Sequence, residues 1–296
     1  MKFCLGTVQF GLNYGIQGNG QPQKEKVFEM LSYAIDNGIE MLDTASAYGE
    51  AEKVLGDYFR AYPDMAEKVS VVSKLKPDAF SEDNVNDWPE VAEKNARESL
   101  ERLGIRHFAA YLFHNAASIF DERAVTALSR VKDAGIADRI GVSIYNPEEA
   151  MKALDYPQVG AIQIPYNLFD QRLDKCGFFR RAKEQDVLVF ARSSLLQGLV
   201  MMNPDNLPDR VRFAKDYLER FLSACAEYKT LPLSAAIGYV GCKEGIDYVV
   251  FGVDNLRQLE EYVALKDFVL PSEMMQTLEN EFENVEERLV NPVLWK

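Results

Sequence analysis

Eight short apolar runs alternate with amphipathic segments, and this alternation restricts the possible folds more than any other feature of the chain. The runs are six or seven residues long and suit buried strands: 2–8, 39–44, 69–74, 108–114, 139–145, 159–165, 187–193 and 248–253. Segments between them, such as 24–38, 90–104 and 122–135, carry apolar residues at helical spacing and end in a glycine, which is typical of a left-handed C-cap. The pattern predicts a single-domain α/β protein, a (β/α)₈ TIM barrel.

A doubly wound sheet is the alternative, but that fold usually carries a GxGxxG turn after its first strand, and the sequence has none there. Residues 9–23 form a glycine-rich loop without the Gly-Lys-Ser/Thr ending of a phosphate-binding loop. We interpret this loop as a flexible connection or a β-hairpin over the bottom or rim of the barrel, in preference to a direct phosphate site. Because no low-complexity linker interrupts the chain, residues 1–296 are expected to form one domain. In this domain 271–296 form a C-terminal helix and tail, with an acidic amphipathic helix over 271–289 packed on the barrel or against a partner chain.

Charge and composition exclude several classes of function. The formal net charge is −13, so the surface should repel a phosphate backbone and we expect no nucleic-acid partner. The sequence has no run of about 18 apolar residues and no basic-then-apolar leader, which predicts neither a membrane partner nor secretion. Four scattered cysteines without a CxxC pair are typical of a reducing cytoplasm, and two histidines are too few for a histidine-rich metal site. We therefore predict a cytoplasmic protein without a metal.

Four polar residues lie at the ends of three consecutive predicted strands. Asp43 ends the second strand and Tyr48 lies in the loop after it, while Lys74 closes the third strand and His114 the fourth. In barrel enzymes such strand ends face the mouth of the active site. Each residue alone has a structural explanation, such as an Asx-turn, packing on a helix, exposure to solvent or a satisfied core position. Their joint placement at one mouth favours a chemical unit.

These four side chains could supply a proton donor. A free tyrosine has a pKa of about 10, and a nearby ammonium lowers it. A carboxylate beside a buried lysine keeps that lysine charged. We therefore expect Asp43 to hold Lys74, and Lys74 to bring the pKa of Tyr48 close to neutral pH, so that Tyr48 acts as a general acid. His114 could orient a carbonyl oxygen by a hydrogen bond.

Eight motifs occur along the chain in a fixed order. They are LGTVQFG (5–11), GIEMLDTASAYGEAEKVLG (38–56), VVSKLKP (71–77), YLFHN (111–115), GVSIYNPEE (141–149), IQIPYNLFD (162–170), SSLLQGLV (193–200) and VVFGVDNLRQLEE (249–261). In this order they resemble the aldo-keto reductase family over about residues 1 to 270. The resemblance implies a barrel that reduces aldehydes or ketones with a nicotinamide cofactor, usually NADPH. It also implies that the family's Asp, Tyr, Lys and His tetrad corresponds to Asp43, Tyr48, Lys74 and His114.

The same resemblance implies contacts to the nicotinamide end of the cofactor. Thr7 is similar to the residue near the ribose, and Ser143 and Gln163 are similar to those that hydrogen-bond the carboxamide. Ile144 stands where the family often has Asn, so one polar contact is missing. Arg192 stands where many members stack an aromatic ring on the nicotinamide, and a guanidinium plane can also stack.

Further cofactor contacts are implied in the loops after the last two strands. Backbone groups of residues 193–199 should line the pyrophosphate channel, and the start of the helix after the last strand should hold the adenosine phosphate. The predicted contacts are Ser193, Leu195, Gln197, Gly252, Val253, Asp254 and Gln258, together with Asp43 from the second strand.

The helix after the last strand bears on the choice of cofactor. Asn255 and Gln258 have the spacing of a capping box, which is a purely structural explanation of this motif. Asp254 stands where members that favour NADPH often carry a basic residue, although Arg257 one turn later could compensate. Tyr262 replaces a frequent Asn. We predict NADPH as the cofactor, with NADH as the close alternative.

Substrate specificity in such barrels resides in the loops that follow the strands. We predict that Tyr14, Asn115 and Tyr145 bind the substrate together with the two tetrad residues Tyr48 and His114. This mixture of polar and aromatic groups suits a small-molecule carbonyl substrate, either a sugar or another hydroxylated carbonyl compound. Trp295 could fold across the mouth or plug the barrel wall, and the sequence does not choose between these positions.

Two other functions compete with carbonyl reduction. A non-catalytic, nucleotide-sensing barrel subunit is the main alternative, but a sensor has no need of an intact proton-donating tetrad. A lyase or isomerase on the same barrel would place carboxylates or a metal at the mouth and would need no hydride donor. We expect a monomer or a weak homo-oligomer.

Overall fold

The computed structural model describes residues 1–16 and 20–295, and within them eight parallel strands close into a barrel. Each strand pairs with the next, and the last pairs with the first through Phe3 and Val249. The strands are β1 (Phe3–Gly6), β2 (Met41–Asp43), β3 (Ser70–Leu75), β4 (Phe108–Phe113), β5 (Ala137–Ser143), β6 (Val159–Pro165), β7 (Leu188–Arg192) and β8 (Tyr248–Phe251). The predicted (β/α)₈ TIM barrel is therefore confirmed.

Helices follow the strands and cover the outside of the barrel. They are α1 (Val8–Gly11), α2 (Lys24–Asp36), α3 (Ala51–Ala61), α4 (Pro63–Ala66), α5 (Trp88–Leu103), α6 (Glu122–Asp133), α7 (Pro147–Ala153), α8 (Phe178–Glu184), α9 (Lys215–Glu227), α10 (Pro232–Gly241), α11 (Leu256–Val263), α12 (Ser272–Glu281) and α13 (Glu287–Val290). The helices predicted over 24–38, 90–104 and 122–135 correspond to α2, α5 and α6. Among the described residues, no helix combines the length and the apolar character needed to span a membrane.

The glycines that follow these three helices have the expected conformation. Gly38, Gly104 and Gly135 have φ angles of 81°, 68° and 66°, which lie in the left-handed region. A residue with a side chain is strained there, whereas glycine is not. These glycines end the helices and turn the chain back towards the next strand.

The glycine-rich loop after β1 differs from one of its two predicted forms. Its first residues belong to α1, and the described residues 12–16 and 20–23 contain no strand, so a β-hairpin over this part is wrong. The loop lies at the mouth of the barrel and not at its bottom, because it leaves the C-terminal end of β1. There the Ile16 N–H donates to the Gln197 carbonyl at 3.1 Å. Residues 17–19 lie outside the described residues.

The acidic helix predicted over 271–289 is interrupted. The structure ends α12 at Glu281 and begins α13 at Glu287. Between them the ring of Phe282 is buried edge-on against Phe169, with ring centroids 4.7 Å apart. This packing, at a residue with φ of −113°, turns the chain out of the helix. The buried side chains of α12 include Met274, so the helix does pack on the barrel's outer layer, as predicted.

The alternation of side chains along the strands positions the functional residues. The lower interior of the barrel is one apolar cluster of Cys4, Met41, Val72, Ala110, Leu112, Ala161, Phe190 and Val250. Side chains two residues apart in a strand point to the same face. The interior residues directly above this cluster are therefore polar ones, at the mouth of the barrel: Asp43, Lys74, His114, Gln163 and Arg192.

Candidate active site

A buried lysine lies at the centre of the polar layer. The side chain of Lys74 is only 1% exposed, and its Nζ donates to Asp43 Oδ1 at 2.6 Å. The same nitrogen lies 3.0 Å from the Thr44 carbonyl oxygen and 3.4 Å from Tyr48 Oη. An ammonium has three hydrogens, so these three partners use all of them.

Asp43 is held from several directions. Its Oδ1 also accepts a hydrogen bond from Gln163 Nε2 at 2.7 Å. Its backbone carbonyl accepts from both the N–H of Thr7 at 2.9 Å and the hydroxyl of Thr7 at 3.0 Å. Residues of β3 and β6 therefore hold the Asp43 carboxylate, and Thr7, just after β1, holds the Asp43 backbone.

The loop between β2 and α3 places the Tyr48 hydroxyl over the lysine. The Tyr48 N–H donates to the Ala45 carbonyl at 2.9 Å, and the Tyr48 carbonyl accepts from the Ala51 N–H at 3.0 Å. Gly11 packs against this turn so closely that a Cβ there would lie 1.9 Å from the Tyr48 carbonyl oxygen. The ring of His114 stands edge-on to the Tyr48 ring at 5.6 Å between centroids. The structure thus brings the predicted tetrad together.

The ionisation of Lys74 reflects opposing effects. Burial lowers the pKa of Lys74, but the carboxylate of Asp43 and the phenol of Tyr48 raise it, and the net direction is upward. Lys74 is therefore an ammonium at neutral pH. This agrees with the prediction that the carboxylate keeps it charged.

The predicted acidity of Tyr48 is not found in the structure. Burial raises the pKa of Tyr48 above its usual value of 10, and Lys74 lowers that pKa by less than burial raises it. The phenol is therefore fully protonated at neutral pH. The prediction of a pKa near neutrality was wrong because the sequence does not show how completely the phenol is removed from water.

His114 is neutral at physiological pH. Burial, followed by the charge of Lys74, lowers the pKa of His114 from 6.5 to about 4. Its Nδ1 is buried and has no hydrogen-bond partner among the described residues. A neutral imidazole beside the Tyr48 hydroxyl can exchange hydrogen bonds with an incoming oxygen without adding charge.

A cavity of about 490 Å³ opens above the tetrad. Most of the predicted site residues line it: Tyr14, Asp43, Tyr48, His114, Ser143, Tyr145, Arg192, Ser193, Leu195, Gln197, Gly252, Asp254 and Gln258. Other predicted residues are buried behind its wall, namely Thr7, Lys74, Gln163 and Val253. Gln163 is nevertheless hydrogen-bonded to a residue of the cavity wall, because Ser143 Oγ donates to Gln163 Oε1 at 3.1 Å.

Asn115 does not belong to the cavity. It is exposed, and its side-chain oxygen accepts a hydrogen bond from the Ala117 N–H at 3.2 Å, which caps a short 3₁₀ turn. The prediction that Asn115 binds substrate is therefore not supported, since this helix-capping role already uses its side chain. Trp295 is buried away from the cavity and donates its indole N–H to the Arg288 carbonyl at 2.6 Å, so it belongs to the barrel wall.

Sequence reasoning missed Gln9 on the cavity wall, and it predicted only backbone contacts for the segment that contains Ser194. Gln9 and Ser194 both line the cavity, and each has a buried side-chain oxygen without a partner among the described residues. The Gln9 side chain occupies the space beside Gly252, where a Cβ would lie 2.4 Å from Gln9 Oε1. Both residues follow strands closely, so the strand-end rule that located the tetrad could have found them.

Arg192 is fixed at the mouth by three neighbours. Its Nη2 donates to the Ile144 carbonyl at 2.7 Å, and its Nη1 donates to Ser193 Oγ at 3.1 Å. Its guanidinium lies 4.7 Å from the centre of the Tyr145 ring. Arg192 thus stacks on a tyrosine of the neighbouring loop.

The loop after β7 stores backbone strain where it lines the cavity. Ser193, Leu196 and Gln197 have φ angles of 63°, 47° and 56°, which residues with side chains seldom adopt. Such strain persists only where the surrounding structure enforces it, and it is common at ligand sites. These angles turn backbone groups of the loop towards the cavity and the loop after β1.

The outer end of the cavity is acidic among the described residues. Asp254 and Glu261 line it, whereas Arg257 does not; its side chain is 87% exposed and pairs with Glu261 at 3.3 Å. The start of α11 is capped by its own side chains. Asn255 Oδ1 accepts from the Gln258 N–H at 3.0 Å, and Gln258 Oε1 accepts from the Asp254 N–H at 2.7 Å. The predicted capping box is therefore present, except that the Gln258 side chain binds the N–H of Asp254 instead of the N–H of Asn255.

Comparison with known proteins gives a consistent result. A sequence model described as the Aldo/keto reductase family matches residues 2–281. Aldo-keto reductase YhdN of Bacillus subtilis is 25% identical over 98% of this chain and 92% of its own length. An NADH-specific methylglyoxal reductase of Escherichia coli is 24% identical over 94% of this chain and 95% of its own length. An aldo-keto reductase of Bacillus halodurans, solved in its holo form, superposes with a TM-score of 0.77 over 97% of this chain and 94% of that chain, at 18% identity, and supports the fold.

Proposed function

The chain belongs to the aldo-keto reductase family, whose members reduce carbonyl compounds with NAD(P)H, and we propose that it reduces an aldehyde or ketone with Tyr48 as the proton donor. One observation carries this proposal. The Lys74 ammonium is held by Asp43 at 2.6 Å and lies 3.4 Å from Tyr48 Oη, below a cavity that Tyr48 and His114 line. A nucleotide-sensing subunit would need no such arrangement.

The side chains divide the reaction between them. When bound, the cofactor supplies a hydride to the carbonyl carbon. The carbonyl oxygen then gains negative charge, and the Tyr48 hydroxyl donates its proton to that oxygen. Lys74 stabilises the phenolate that this donation leaves, and Asp43 keeps Lys74 charged throughout. The neutral His114 holds the carbonyl oxygen beside the Tyr48 hydroxyl by a hydrogen bond.

We propose that the cavity holds a nicotinamide dinucleotide. Its volume of about 490 Å³ is typical of sites that enclose a small ligand. The unpartnered oxygens of Gln9 and Ser194 offer hydrogen bonds to it. We assign the nicotinamide end to Ser143 and Arg192, with Thr7 and Gln163 supporting the wall from behind. We assign the phosphates and adenosine to the remaining predicted residues that line the cavity, with Val253 behind them: Ser193, Leu195, Gln197, Gly252, Asp254 and Gln258.

The charges at the outer end bear on which nucleotide is preferred. Asp254 and Glu261 should repel a 2′-phosphate, and either carboxylate could accept a hydrogen bond from a free ribose hydroxyl. Arg257 does not line the cavity and is already paired with Glu261. These charges weigh against the NADPH preference expected from the family resemblance. We therefore propose that the protein accepts both nucleotides and binds NADH more tightly.

The substrate side of the mouth favours a small hydroxylated carbonyl compound. Tyr14 and Tyr145 line the cavity and are 40% and 47% exposed, so each presents aromatic surface to a ligand. Met201 adds an apolar surface beside them. A short sugar or another hydroxylated aldehyde could use both kinds of contact.

The test is nucleotide oxidation, followed at 340 nm, with a panel of aldehydes that includes glyceraldehyde, an aldose and benzaldehyde. We expect oxidation with NADH and NADPH, and a higher kcat/KM for hydroxylated aldehydes than for benzaldehyde. Binding of nucleotide, seen as quenching of intrinsic fluorescence, without oxidation by any carbonyl compound would instead favour the sensing subunit. A tenfold tighter Kd for NADPH than for NADH would contradict the proposed cofactor preference.

A further inference from the structure

A buried carboxylate outside the cavity connects the two elements that carry Tyr48 and Lys74. Glu52, in the first turn of α3, is only 2% exposed. Ser73 Oγ donates to Glu52 Oε1 at 2.8 Å, and Arg102 Nε donates to Glu52 Oε2 at 2.8 Å. None of these three residues lines the cavity above the tetrad.

The positions of Ser73 and Glu52 in the chain relate this contact to the active site. Ser73 precedes Lys74 in β3, and because side chains alternate along a strand, Ser73 faces the helices while Lys74 faces the barrel interior. Tyr48 lies in the turn just before α3, and its carbonyl oxygen accepts a hydrogen bond from the Ala51 N–H at 3.0 Å. The Ser73–Glu52 hydrogen bond therefore joins the strand that carries the Lys74 ammonium to the helix that follows the turn of Tyr48.

We propose that Glu52 is a positioning residue, which through Ser73 sets the distance between the Lys74 ammonium and the Tyr48 hydroxyl. That distance is 3.4 Å, at the long end of the hydrogen-bond range, so a small displacement of α3 from β3 would break the contact. The inference rests on the proposed function, because it gives Glu52 a part in the proton donation by Tyr48.

Arg102 on α5 holds Glu52 from the other side. It compensates the charge of a carboxylate that would otherwise be costly to bury. Gly56 brings α3 and α5 into direct contact, since a Cβ on Gly56 would lie 2.0 Å from the Arg102 carbonyl oxygen. The helix α3 is thus fixed between β3 and α5, and Glu52 contacts both.

Ser73→Ala is the discriminating variant, because it removes the bond between β3 and α3 but keeps the Glu52–Arg102 pair. Ser99→Ala is its matched control. Ser99 is buried and accepts a hydrogen bond from Arg102 Nη2 at 2.8 Å, so this change removes a bond of the same cluster without affecting β3. The charged and titratable groups around Tyr48, which are Lys74, Asp43, His114 and Arg192, are the same in both variants.

The readout is the pH dependence of kcat for oxidation of the alcohol that corresponds to the best aldehyde substrate, because this direction requires the Tyr48 phenolate. Lys74 lowers the pKa of Tyr48 less from a greater distance, so the ascending limb should move to higher pH in Ser73→Ala by about 0.5 unit or more. At pH 7 the rate should fall about threefold or more, while the nucleotide Kd stays within about twofold. Ser99→Ala should leave the ascending limb at its wild-type pH, although the Tm of Ser99→Ala should fall about as much as the Tm of Ser73→Ala.

Changes at Glu52 itself complete the test. Glu52→Gln retains an oxygen for Ser73 and should leave the ascending limb of the pH profile at its wild-type pH. Glu52→Leu should move this limb to higher pH, as Ser73→Ala does. The positioning role is overturned if Ser73→Ala shifts the limb no more than Ser99→Ala does. A wild type that reduces no carbonyl compound would remove the proposed function, and this inference with it; an active wild type with an unshifted Ser73→Ala would remove this inference alone.

Discussion

At the scale of single residues, the site depends on opposed effects on ionisation. Burial raises the pKa of the Tyr48 phenol, and only the Lys74 ammonium, with a smaller contribution from Arg192, works in the other direction. Lys74 stays charged because Asp43 and Tyr48 outweigh the effect of its own burial. The site therefore holds a protonated phenol against a charged amine, and a phenol in this state can donate a proton.

The lowered pKa of His114 predicts a pH dependence of stability. Its pKa is about 4 in the folded protein and about 6.5 in the unfolded chain, so between these values only the unfolded chain binds the proton. Stability from this group is complete above pH 6.5 and is lost as the pH falls towards 4, by about 3 kcal/mol. Urea unfolding at several pH values should show this loss in the wild type relative to His114→Gln. Identical pH profiles for the two proteins would show that His114 titrates normally.

The acidic outer end predicts a change in nucleotide preference. Glu261→Gln removes one negative charge from the cavity wall and should lower the ratio of the NADPH Kd to the NADH Kd by about fivefold, the effect of one partly exposed charge interaction. Fluorescence quenching by each nucleotide measures the ratio. Glu260→Gln is the control, because Glu260 is exposed and does not line the cavity. An equal change in both variants would mean that net charge alone matters.

The site residues that could be located from the sequence are those for which position in a strand is sufficient to place the side chain at the mouth of the barrel. Asp43, Lys74 and His114 follow apolar interior residues at a spacing of two, so their meeting at the mouth was predictable from alternation. Asn115 lies outside the cavity, and the sequence does not show that its side-chain oxygen accepts a hydrogen bond from a local backbone N–H. The prediction of the Tyr48 pKa failed because the extent of burial of the phenol depends on contacts from distant elements.

At the scale of elements, strands and helices were predictable where a regular hydrophobic pattern runs through the segment, and irregular segments were not. The eight strands and the helices α2, α5 and α6 follow from periodicity alone. The interruption between α12 and α13 depends on the packing of Phe282 against Phe169, a contact more than 100 residues apart in the chain. The strained φ angles after β7 likewise depend on neighbouring loops.

The close contact between α1 and the Tyr48 turn predicts an effect of Gly11→Ala. The added Cβ would lie 1.9 Å from the Tyr48 carbonyl oxygen, so either α1 or the turn must move. A displacement of the proton donor by about 1 Å can reduce kcat by about 100-fold, and we expect a loss of at least tenfold. Gly160→Ala is the control, because its Cβ would meet only the flexible Arg139 side chain at 3.2 Å. Equal kcat values for the two variants would mean that the turn adapts without moving Tyr48.

At the scale of the whole molecule, barrel closure and a continuous core join the ends of the chain. β1 pairs with β8, and the buried residues of the C-terminal tail, including Leu289 and Trp295, belong to the same core cluster as the helices around the barrel. The sequence predicted closure from the number of strands. The place of Trp295 could not be predicted, because its hydrogen bond to the Arg288 carbonyl depends on how the tail folds back.

This continuity predicts that the tail and the barrel unfold together. The chain has two tryptophans, Trp88 at the start of α5 and Trp295 in the tail, so Trp88→Phe and Trp295→Phe each leave one reporter. Denaturant unfolding should give the same midpoint for both reporters and for circular dichroism, because Trp295 is 8% exposed and packed in the common core. A lower midpoint for the Trp295 reporter alone would show that the tail is a separate unit.

The most direct test of the account is single-turnover hydride transfer in the wild type and in Tyr48→Phe, with the same aldehyde and saturating nucleotide. Phenylalanine keeps the ring against His114 and removes only the hydroxyl that lies 3.4 Å from Lys74. We predict that the rate in the variant falls by about 100-fold or more and that the nucleotide Kd is unchanged, because proton donation is lost while the binding surface remains. An unchanged rate would contradict the assignment of Tyr48 as the proton donor.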